Sequence, residues 1–389
     1  MNTSFRIARV MGIPVLVNLS WFLILIFVTS YLALNIYPNA AFAAGSQYHN
    51  DRVLHWAMAI ASGIVFFGSI LLHEIAHSIV ALRQGIPVKS ITLFMFGGVS
   101  EITGDPRRPR HEFLMAVAGP LTSLLIAGVF LVAWFLTGFA DDTPVGIVVE
   151  WLFVMNLALA LFNMAPGFPM DGGRVLRSIV WGITGNSIRA TRVATLSGRS
   201  IGYSLMIVGA LAFFGMFQDW DIMPLNGILF VFLGLYLENA ARQSWFQALA
   251  IDVLTNHAAE DIMNEELEVA SLNDRLHYLA DRGGRRYMFF INDHDDHVAG
   301  IVTHREVAAV PELERGATSA DKVMVPTETI PVAMPREDGA SLLKRMEADG
   351  TWHMPVVSDG RVVGVVSKED LLRLLAARFF PRETLRGQR

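Results

Sequence analysis

Long apolar runs fill the first 241 residues of the chain, and they constrain its fold more than any other feature. Six of them come close to or exceed the length that a helix needs to cross a bilayer, about 17 to 25 residues. They are Ile13–Ile36, Ala57–Leu82, Phe113–Phe139, Val145–Asn163, Ser200–Phe217 and Leu225–Ala241. From about residue 252 the composition becomes that of a soluble protein. We therefore predict a polytopic α-helical membrane domain of about six spans at residues 1–242, a linker at 243–255 and a soluble α/β domain after it.

Positively charged residues orient these spans. Thirteen Lys and Arg residues lie at one set of span ends, whereas Arg52 is alone at the other. Because Lys and Arg concentrate in cytoplasmic loops, this bias predicts that both termini lie in the cytoplasm. We expect an integral protein of a prokaryotic cell membrane. The formal net charge of −5 offers no basic surface, so we expect no nucleic-acid partner.

The second apolar run contains the sequence HEIAH, in which His73 and His77 are four residues apart. This spacing places both imidazoles on one face of a helix, where they can bind one zinc ion. Glu74 lies beside them and can act as a general base toward a water molecule. Ionisable groups within a spanning helix cost free energy unless they have partners or a function. A polar cluster that only bonds to neighbouring helices is the alternative interpretation.

The chain contains no cysteine, so a third metal ligand must be a histidine, an aspartate or a glutamate. The best candidate is Asp171, in the segment NMAPGFPMDGG that follows the fourth run. Prolines end the helix there, and the two glycines permit a tight turn after the carboxylate. His73 lies roughly three quarters of the way across its span, and the fourth run brings Asp171 to the same side. Two histidines and one carboxylate, with one position open to water, form a hydrolytic zinc site.

These motifs together resemble the site-2 protease family of intramembrane zinc metalloproteases. The resemblance rests on HEIAH, on NMAPGFPMDGG, on Gly97-Gly98 and on Ala118-Gly119-Pro120. It implies one Zn²⁺ per chain and a single-span membrane protein as substrate, cut near the cytoplasmic leaflet. It also implies the site residues: the zinc ligands His73, His77 and Asp171, the general base Glu74, and Asn163 as a contact to the substrate or the transition state.

An apolar stretch at Ser90–Ile102 is too short to span a bilayer. Its Phe, Ile, Val and Gly content indicates a candidate re-entrant β-hairpin that lines a cavity. A protease cuts extended backbone, so a membrane helix must unwind before cleavage. The unwound substrate could pair with an open strand edge in this stretch, which makes Gly97 and Gly98 candidate substrate-binding residues. A purely structural loop is the alternative.

Two units of about 60 residues repeat in the soluble part. The sequence VAGIVTHRE at 298–306 is echoed by VVGVVSKED at 362–370. Each unit is predicted to order its elements as helix, strand, turn, strand and helix. The units resemble a tandem pair of cystathionine-β-synthase (CBS) domains, at residues 256–316 and at residues 317–389 with the C-terminal tail. Such pairs are similar to modules that bind adenine nucleotides in a central cleft.

The CBS family pattern places a hydroxyl and an acid after the second strand of each unit. Thr303 matches in the first unit, where Glu306 stands in place of the aspartate, and Ser367 and Asp370 match in the second. The resemblance therefore favours the second unit as the site of ATP, ADP or AMP, and it implies a homodimer through the CBS pair. A dimerisation module without a ligand is the alternative.

The sequence thus predicts a zinc-dependent endopeptidase that performs regulated intramembrane proteolysis and responds to adenine nucleotides. A protein of another class, a CBS-regulated ion or solute transporter, could use the intramembrane His and Asp residues as an ion path. The fixed HExxH spacing and the Asp-Gly-Gly loop favour the protease, because an ion path requires neither.

Overall fold

The computed structural model describes residues 4–95, 97–102, 104, 106–139, 142–216, 224–283, 288–292, 298–326, 329–359 and 361–379. The end of the predicted second CBS unit, 380–389, lies outside this description. Contacts divide the chain into two compact units, Met1–Phe246 and Gln247–Arg389, which we describe separately.

A four-stranded sheet in the first unit has the order β1-β2-β3-β4. Its strands are β1 (Ser4–Val10), β2 (Ile13–Asn18), β3 (Val88–Phe94) and β4 (Gly97–Ile102). β1 and β2 form one antiparallel hairpin, β3 and β4 form another, and β2 pairs with β3 in parallel. The short apolar stretch thus forms the expected hairpin, and β4 is an edge of this sheet in the part of the chain that is described.

The start of the first predicted span is wrong, because Ile13–Asn18 is a strand and not a helix. Met11 and Gly12 have φ values of 50° and 85°, the left-handed turn that joins two antiparallel strands. Along β2, buried side chains alternate with partly exposed ones. This period of two is typical of a strand, but it is hard to recognise inside a continuous apolar run.

The helices that begin in the first unit are α1 (Leu19–Tyr31), α2 (Tyr37–Ala43), α3 (Arg52–Arg83), α4 (Pro109–Leu136), α5 (Pro144–Asn163), α6 (Asp171–Thr184), α7 (Ser187–Phe213) and α8 (Pro224–Thr255). A π-helical segment at Leu32–Ile36 joins α1 to α2.

Five helical stretches of the described residues are long and apolar enough to cross a membrane. They are α1 continued through α2 (Leu19–Ala43), and α3, α4, α5 and α7. α8 covers the sixth predicted run but is not among these five. Glu238 and Asn239 lie within that run, and Arg242 directly follows it.

α4 is the helix around which the site helices pack, since it contacts α3, α5 and α6. Its buried residues recur at three- and four-residue intervals and therefore form one face of the helix. They are Glu112, Met115, Ala116, Gly119, Pro120, Ser123 and Ala127.

Paired glycines bring α7 and α8 into backbone contact. A Cβ added to Gly209 would lie 2.6 Å from the carbonyl oxygen of Gly227, and one added to Gly234 would lie 2.5 Å from that of Gly202. Small residues at such points allow membrane helices to gain close van der Waals packing.

The second unit contains one four-stranded sheet of order β5-β6-β7-β8 and one two-stranded sheet. The strands are β5 (Val269–Ser271), β6 (Met288–Asn292), β7 (Val298–Thr303), β8 (Val325–Pro326), β9 (His353–Ser358) and β10 (Arg361–Ser367). The helices are α9 (Ala259–Ile262), α10 (Leu276–Gly283), α11 (His304–Ala308), α12 (Gly339–Ala348) and α13 (Lys368–Phe379).

Each sequence repeat has its own hydrophobic core, but each core also takes in a residue from the other repeat. Ala259, from the start of the first repeat, packs with Leu342 and Val356 of the second. Ala320, from the start of the second repeat, packs with Leu276 and Val302 of the first. The packing cores and the sequence repeats therefore do not coincide residue by residue.

Candidate metal centre

His73 and His77 lie one turn apart on α3, and both are buried, with exposed fractions of 4% and 5%. Their Nε2 atoms are 3.2 Å apart. The spacing of four residues brings the two rings to the same face of the helix, as the sequence predicted.

Asp171 is the first residue of α6 and completes the group. Its Oδ2 lies 3.1 Å from Nε2 of His73 and 3.2 Å from Nε2 of His77. Gly172 and Gly173, which follow it, pack directly against the main chain of residues 164–168, where a Cβ would overlap carbonyl groups. Both glycines are helical, so the tight turn that the sequence predicted after the carboxylate is wrong. Their lack of side chains instead lets the first turn of α6 pack against this loop and places the carboxylate beside the histidines.

The spacing of these three atoms fits a zinc ion. Two ligands at about 2.0 to 2.1 Å from a tetrahedral zinc lie roughly 3.3 to 3.4 Å apart, and the separations here are 3.1, 3.2 and 3.2 Å. Among the described residues, this is the one group of three His, Asp or Glu side chains whose donor atoms converge in this way. Two imidazoles and a carboxylate are also the donor set of a catalytic zinc site.

α4 orients both imidazole rings. Nδ1 of His77 lies 2.6 Å from the carbonyl oxygen of Met115, and Nδ1 of His73 lies 2.9 Å from Oγ of Ser123. A carbonyl oxygen can only accept, so Nδ1 of His77 donates and its Nε2 keeps a lone pair for a metal. Gly119 lies between these contacts, and a Cβ there would be 2.5 Å from Nε2 of His73 and closer still to that of His77.

Glu74 is in contact with the edge strand β4. Oγ of Ser100 donates a hydrogen bond to its Oε2 at 2.9 Å. A Cβ added to Gly98 would overlap Cγ of Glu74 and lie 3.1 Å from its Cδ. The absence of a side chain at Gly98 therefore lets β4 run directly against the candidate general base.

Two other predicted site residues lie near these elements without joining the metal group. Gly97 begins β4 and has a φ of 129°, which favours glycine. Asn163 ends α5, and its Nδ2 donates to the carbonyl oxygen of Leu159 in the same helix at 3.1 Å.

The sequence analysis missed the partners of the site residues, namely Met115, Ser123 and Ser100. A backbone carbonyl such as that of Met115 has no sequence signature. Ser123 did have one, because it lies four residues after Gly119 and therefore on the same face of α4.

The second unit contains a cavity of about 1060 Å³. Residues on both repeats line it, including Thr303, Glu306, Thr351 and Trp352. Ser367 and Asp370 are not among the lining residues. The cavity is thus lined by Thr303, the matching hydroxyl of the first repeat. The sequence had favoured the second repeat as the nucleotide site.

The hydroxyl and acid pairs of the two repeats both cap helices. The backbone N–H of Thr303 donates to Oε2 of Glu306 at 2.9 Å, at the start of α11. The backbone N–H of Ser367 donates to Oδ2 of Asp370 at 3.0 Å, at the start of α13. The repeats therefore share this helix cap, but only the cap of the first repeat lines the cavity.

Comparison with known proteins decides the family. The sequence profile described as peptidase family M50 matches residues 61–143 and 139–208, which include HEIAH and Asp171. Rip3 of Mycobacterium tuberculosis, a zinc metalloprotease by name, is 30% identical over 382 residues that cover 96% of this chain and 93% of Rip3. The chain belongs to the M50, or site-2 protease, family.

Other M50 relatives support the same assignment. The protein sll0528 of Synechocystis sp. is 31% identical over 96% of each chain, and the zinc metalloprotease MJ0392 of Methanocaldococcus jannaschii is 26% identical over 97% of each. The CBS domain profile matches residues 322–377. The matches confirm the predicted enzyme class, a zinc-dependent protease, and an integral membrane protein with a CBS domain.

Solved structures resemble separate parts of this M50 chain. The site-2 protease from Methanocaldococcus jannaschii is 27% identical, covers 62% of this chain and 95% of its own, and aligns with a TM-score of 0.42. The CBS domain pair of protein MJ0100, in complex with 5′-methylthioadenosine and S-adenosyl-L-methionine, covers 31% of this chain and 98% of its own, with 22% identity and a TM-score of 0.27.

Proposed function

We propose that His73, His77 and Asp171 hold one Zn²⁺ and that the chain hydrolyses peptide bonds of single-span membrane proteins near the cytoplasmic leaflet. The observation that carries this proposal is that Nε2 of His73, Nε2 of His77 and Oδ2 of Asp171 lie within 3.2 Å of one another. Glu74 directly follows His73 in the sequence. When bound, zinc supplies Lewis acidity that polarises the scissile carbonyl and makes water more acidic.

Glu74 is our proposed general base. Ser100 donates to its Oε2, which leaves Oε1 to accept a proton from the water that attacks the carbonyl carbon. As the carbon–nitrogen bond breaks, the same oxygen returns the proton to the leaving amine nitrogen. Asn163, at the end of α5, is our proposed contact to the substrate or the transition state.

The edge strand β4 is our proposed docking element for the substrate. Its outer edge can accept an extended segment by main-chain hydrogen bonds, in the manner of strand addition. Because Gly98 and Ser100 contact Glu74, a segment paired along β4 would pass the general base. Gly97 and Gly98 have no side chains and would let that segment approach closely.

We also propose that both termini lie on the cytoplasmic side of a prokaryotic cell membrane. The arginine and lysine bias supports this orientation. A single cysteine introduced after residue 379 tests this orientation, because the chain has no other cysteine. In intact cells, an impermeant thiol reagent should not label it.

The metal content of the purified chain tests the proposed site. We expect about one zinc per wild-type chain and almost none in His73→Ala or Asp171→Ala, because each variant leaves only two protein ligands. Elemental mass spectrometry measures this without knowledge of the substrate. His55→Ala is the matched control, since it removes an equally buried histidine, 2% exposed, from the same helix. A wild-type chain prepared without chelators that holds no zinc would refute the site.

For the second unit we propose regulation by an adenine nucleotide that binds in the cavity of the CBS pair. The presence of Thr303 and Trp352 in its lining supports this, since a hydroxyl can bond phosphate or ribose and an aromatic ring can stack on a base. The family pattern also makes Ser367 and Asp370 candidate nucleotide contacts.

The CBS pair is in addition our proposed homodimer interface. Light scattering tests it, because it measures the molecular mass of the solubilised protein.

Two hydroxyl variants locate the nucleotide. We expect Thr303→Val to weaken ATP or AMP binding about tenfold, roughly the value of one hydrogen bond, and Ser367→Ala to change it less than twofold. The two are matched because both hydroxyls donate to a capping acid. Calorimetric titration of the full solubilised chain measures the affinities. The opposite ranking would place the nucleotide on the second repeat, as the family pattern implies.

A further inference from the structure

A buried ion pair joins α4 to α6, the two helices that complete the metal group around α3. Nη1 of Arg177 donates to Oε1 of Glu112 at 3.0 Å. The side chain of Glu112 is fully buried and that of Arg177 is 21% exposed. The guanidinium also lies over the ring of Trp181, 5.9 Å from its centroid. A carboxylate removed from water in this way requires a charged partner.

Glu112 lies on the same face of α4 as the residues that orient the histidines. From Glu112, Met115 is three positions away, Gly119 seven and Ser123 eleven, which is the period of one helix face. The carbonyl of Met115 and the hydroxyl of Ser123 bond the two imidazoles. One face of α4, roughly 16 Å long, therefore carries both the histidine contacts and the ion pair.

Arg177 lies on the helix that carries the third ligand. Asp171 begins α6, and Arg177 follows six residues later, about 9 Å along the axis. The glycines after Asp171 fix the start of the helix against the preceding loop. α6 also packs against α4 and α7, and the bond to Glu112 adds a directional contact that fixes its position on α4.

We propose that the Glu112–Arg177 ion pair positions Asp171 at ligand distance from the two histidines. Neither residue belongs to the group of candidate ligands, so the pair acts by fixing α6 on the face of α4 that orients the imidazoles. This inference rests on the proposed metal site. It assigns a function to two charged residues that the catalytic mechanism does not use.

Breaking the pair is expected to weaken zinc binding. Arg177→Met keeps the aliphatic stem but removes the guanidinium, and we expect a ten- to hundredfold lower affinity for Zn²⁺, the usual range for residues that orient metal ligands. Glu112→Gln preserves the shape of the side chain and is expected to have a smaller effect of the same sign. In the double variant the losses should be less than additive, because both substitutions remove one interaction.

The measurements are made on the full chain in detergent. Chelator competition gives the affinity for Zn²⁺, and the visible absorption of bound Co²⁺ reports the geometry around the metal. Arg110→Met and Arg282→Met are the controls. Arg110 is exposed and two residues from Glu112, whereas Arg282 forms an exposed ion pair with Glu268 at 3.0 Å in the second unit. Both controls should stay within twofold of the wild type.

Three outcomes separate the possibilities. Reduced affinity with an altered Co²⁺ spectrum supports the positioning role. A lower unfolding temperature of the metal-free variants, with unchanged zinc affinity and an unchanged Co²⁺ spectrum, would overturn it and leave a purely structural ion pair. A wild-type chain that binds neither metal would overturn the proposed metal site and this inference together.

Discussion

Glu74→Gln is expected to abolish peptide-bond cleavage while the chain keeps its zinc. Glutamine has the shape of glutamate, and its amide oxygen can still accept the hydrogen bond from Ser100, so the side chain should stay in place. It cannot take up a proton from water, and loss of a general base typically lowers the rate by about 10² to 10⁴. Gels measure the cleavage of a tagged single-span protein in liposomes, and elemental mass spectrometry of the same preparation measures its zinc content.

Glu101→Gln is the matched control for this experiment. Glu101 lies on β4 beside Ser100, but its carboxylate is exposed and bonds Lys89 at 2.8 Å. The same substitution there should leave cleavage within about twofold, because an exposed ion pair contributes little. Cleavage by zinc-loaded Glu74→Gln at the wild-type rate would show that another group is the base.

The second large effect is expected from a single methyl group. Gly119→Ala should reduce the affinity for Zn²⁺ by more than a hundredfold, because the new Cβ would lie 2.5 Å from Nε2 of His73 and closer to that of His77. The rings cannot simply turn aside, since Ser123 and the carbonyl of Met115 hold their Nδ1 atoms. Either a ring rotates or α4 shifts, and both separate the ligand atoms.

Gly128→Ala provides the control on the same helix. A Cβ at Gly128 meets no atom within 4 Å, so this substitution changes only the helix propensity, by about 0.5 to 1 kcal/mol in favour of the helix. Chelator competition should therefore show a large loss of zinc affinity in Gly119→Ala and an unchanged affinity in Gly128→Ala, although the substitution is the same. Equal zinc affinity in Gly119→Ala and the wild type would mean that the histidines are not held as described.

The sequence identified the candidate metal ligands because short, local patterns indicate them. The four-residue spacing of His73 and His77 determines that they share a helix face, whatever the rest of the fold. Asp171 lies almost a hundred residues away, and the absence of cysteine together with the Pro and Gly residues around it made it the best candidate. The structure brings these three predicted residues together.

Local patterns were less reliable in apolar runs, because a spanning helix and a buried strand have similar compositions. The run from Ile13 is apolar enough for a span, yet its first six residues form β2, because β1 and β3 supply backbone partners on both sides. Hydropathy measures the preference of side chains for an apolar surrounding and does not report which backbone groups lie beside them.

The sequence by itself determined most of the membrane helices, the CBS domain and the identity of the candidate zinc ligands, because spacing and composition act within a few turns of chain. Only the tertiary structure decided what surrounds them: the carbonyl of Met115 against His77, β4 against Glu74, Thr303 at the cavity, and Arg177 against Glu112. These contacts join residues far apart in the chain, and they depend on how helices and strands pack.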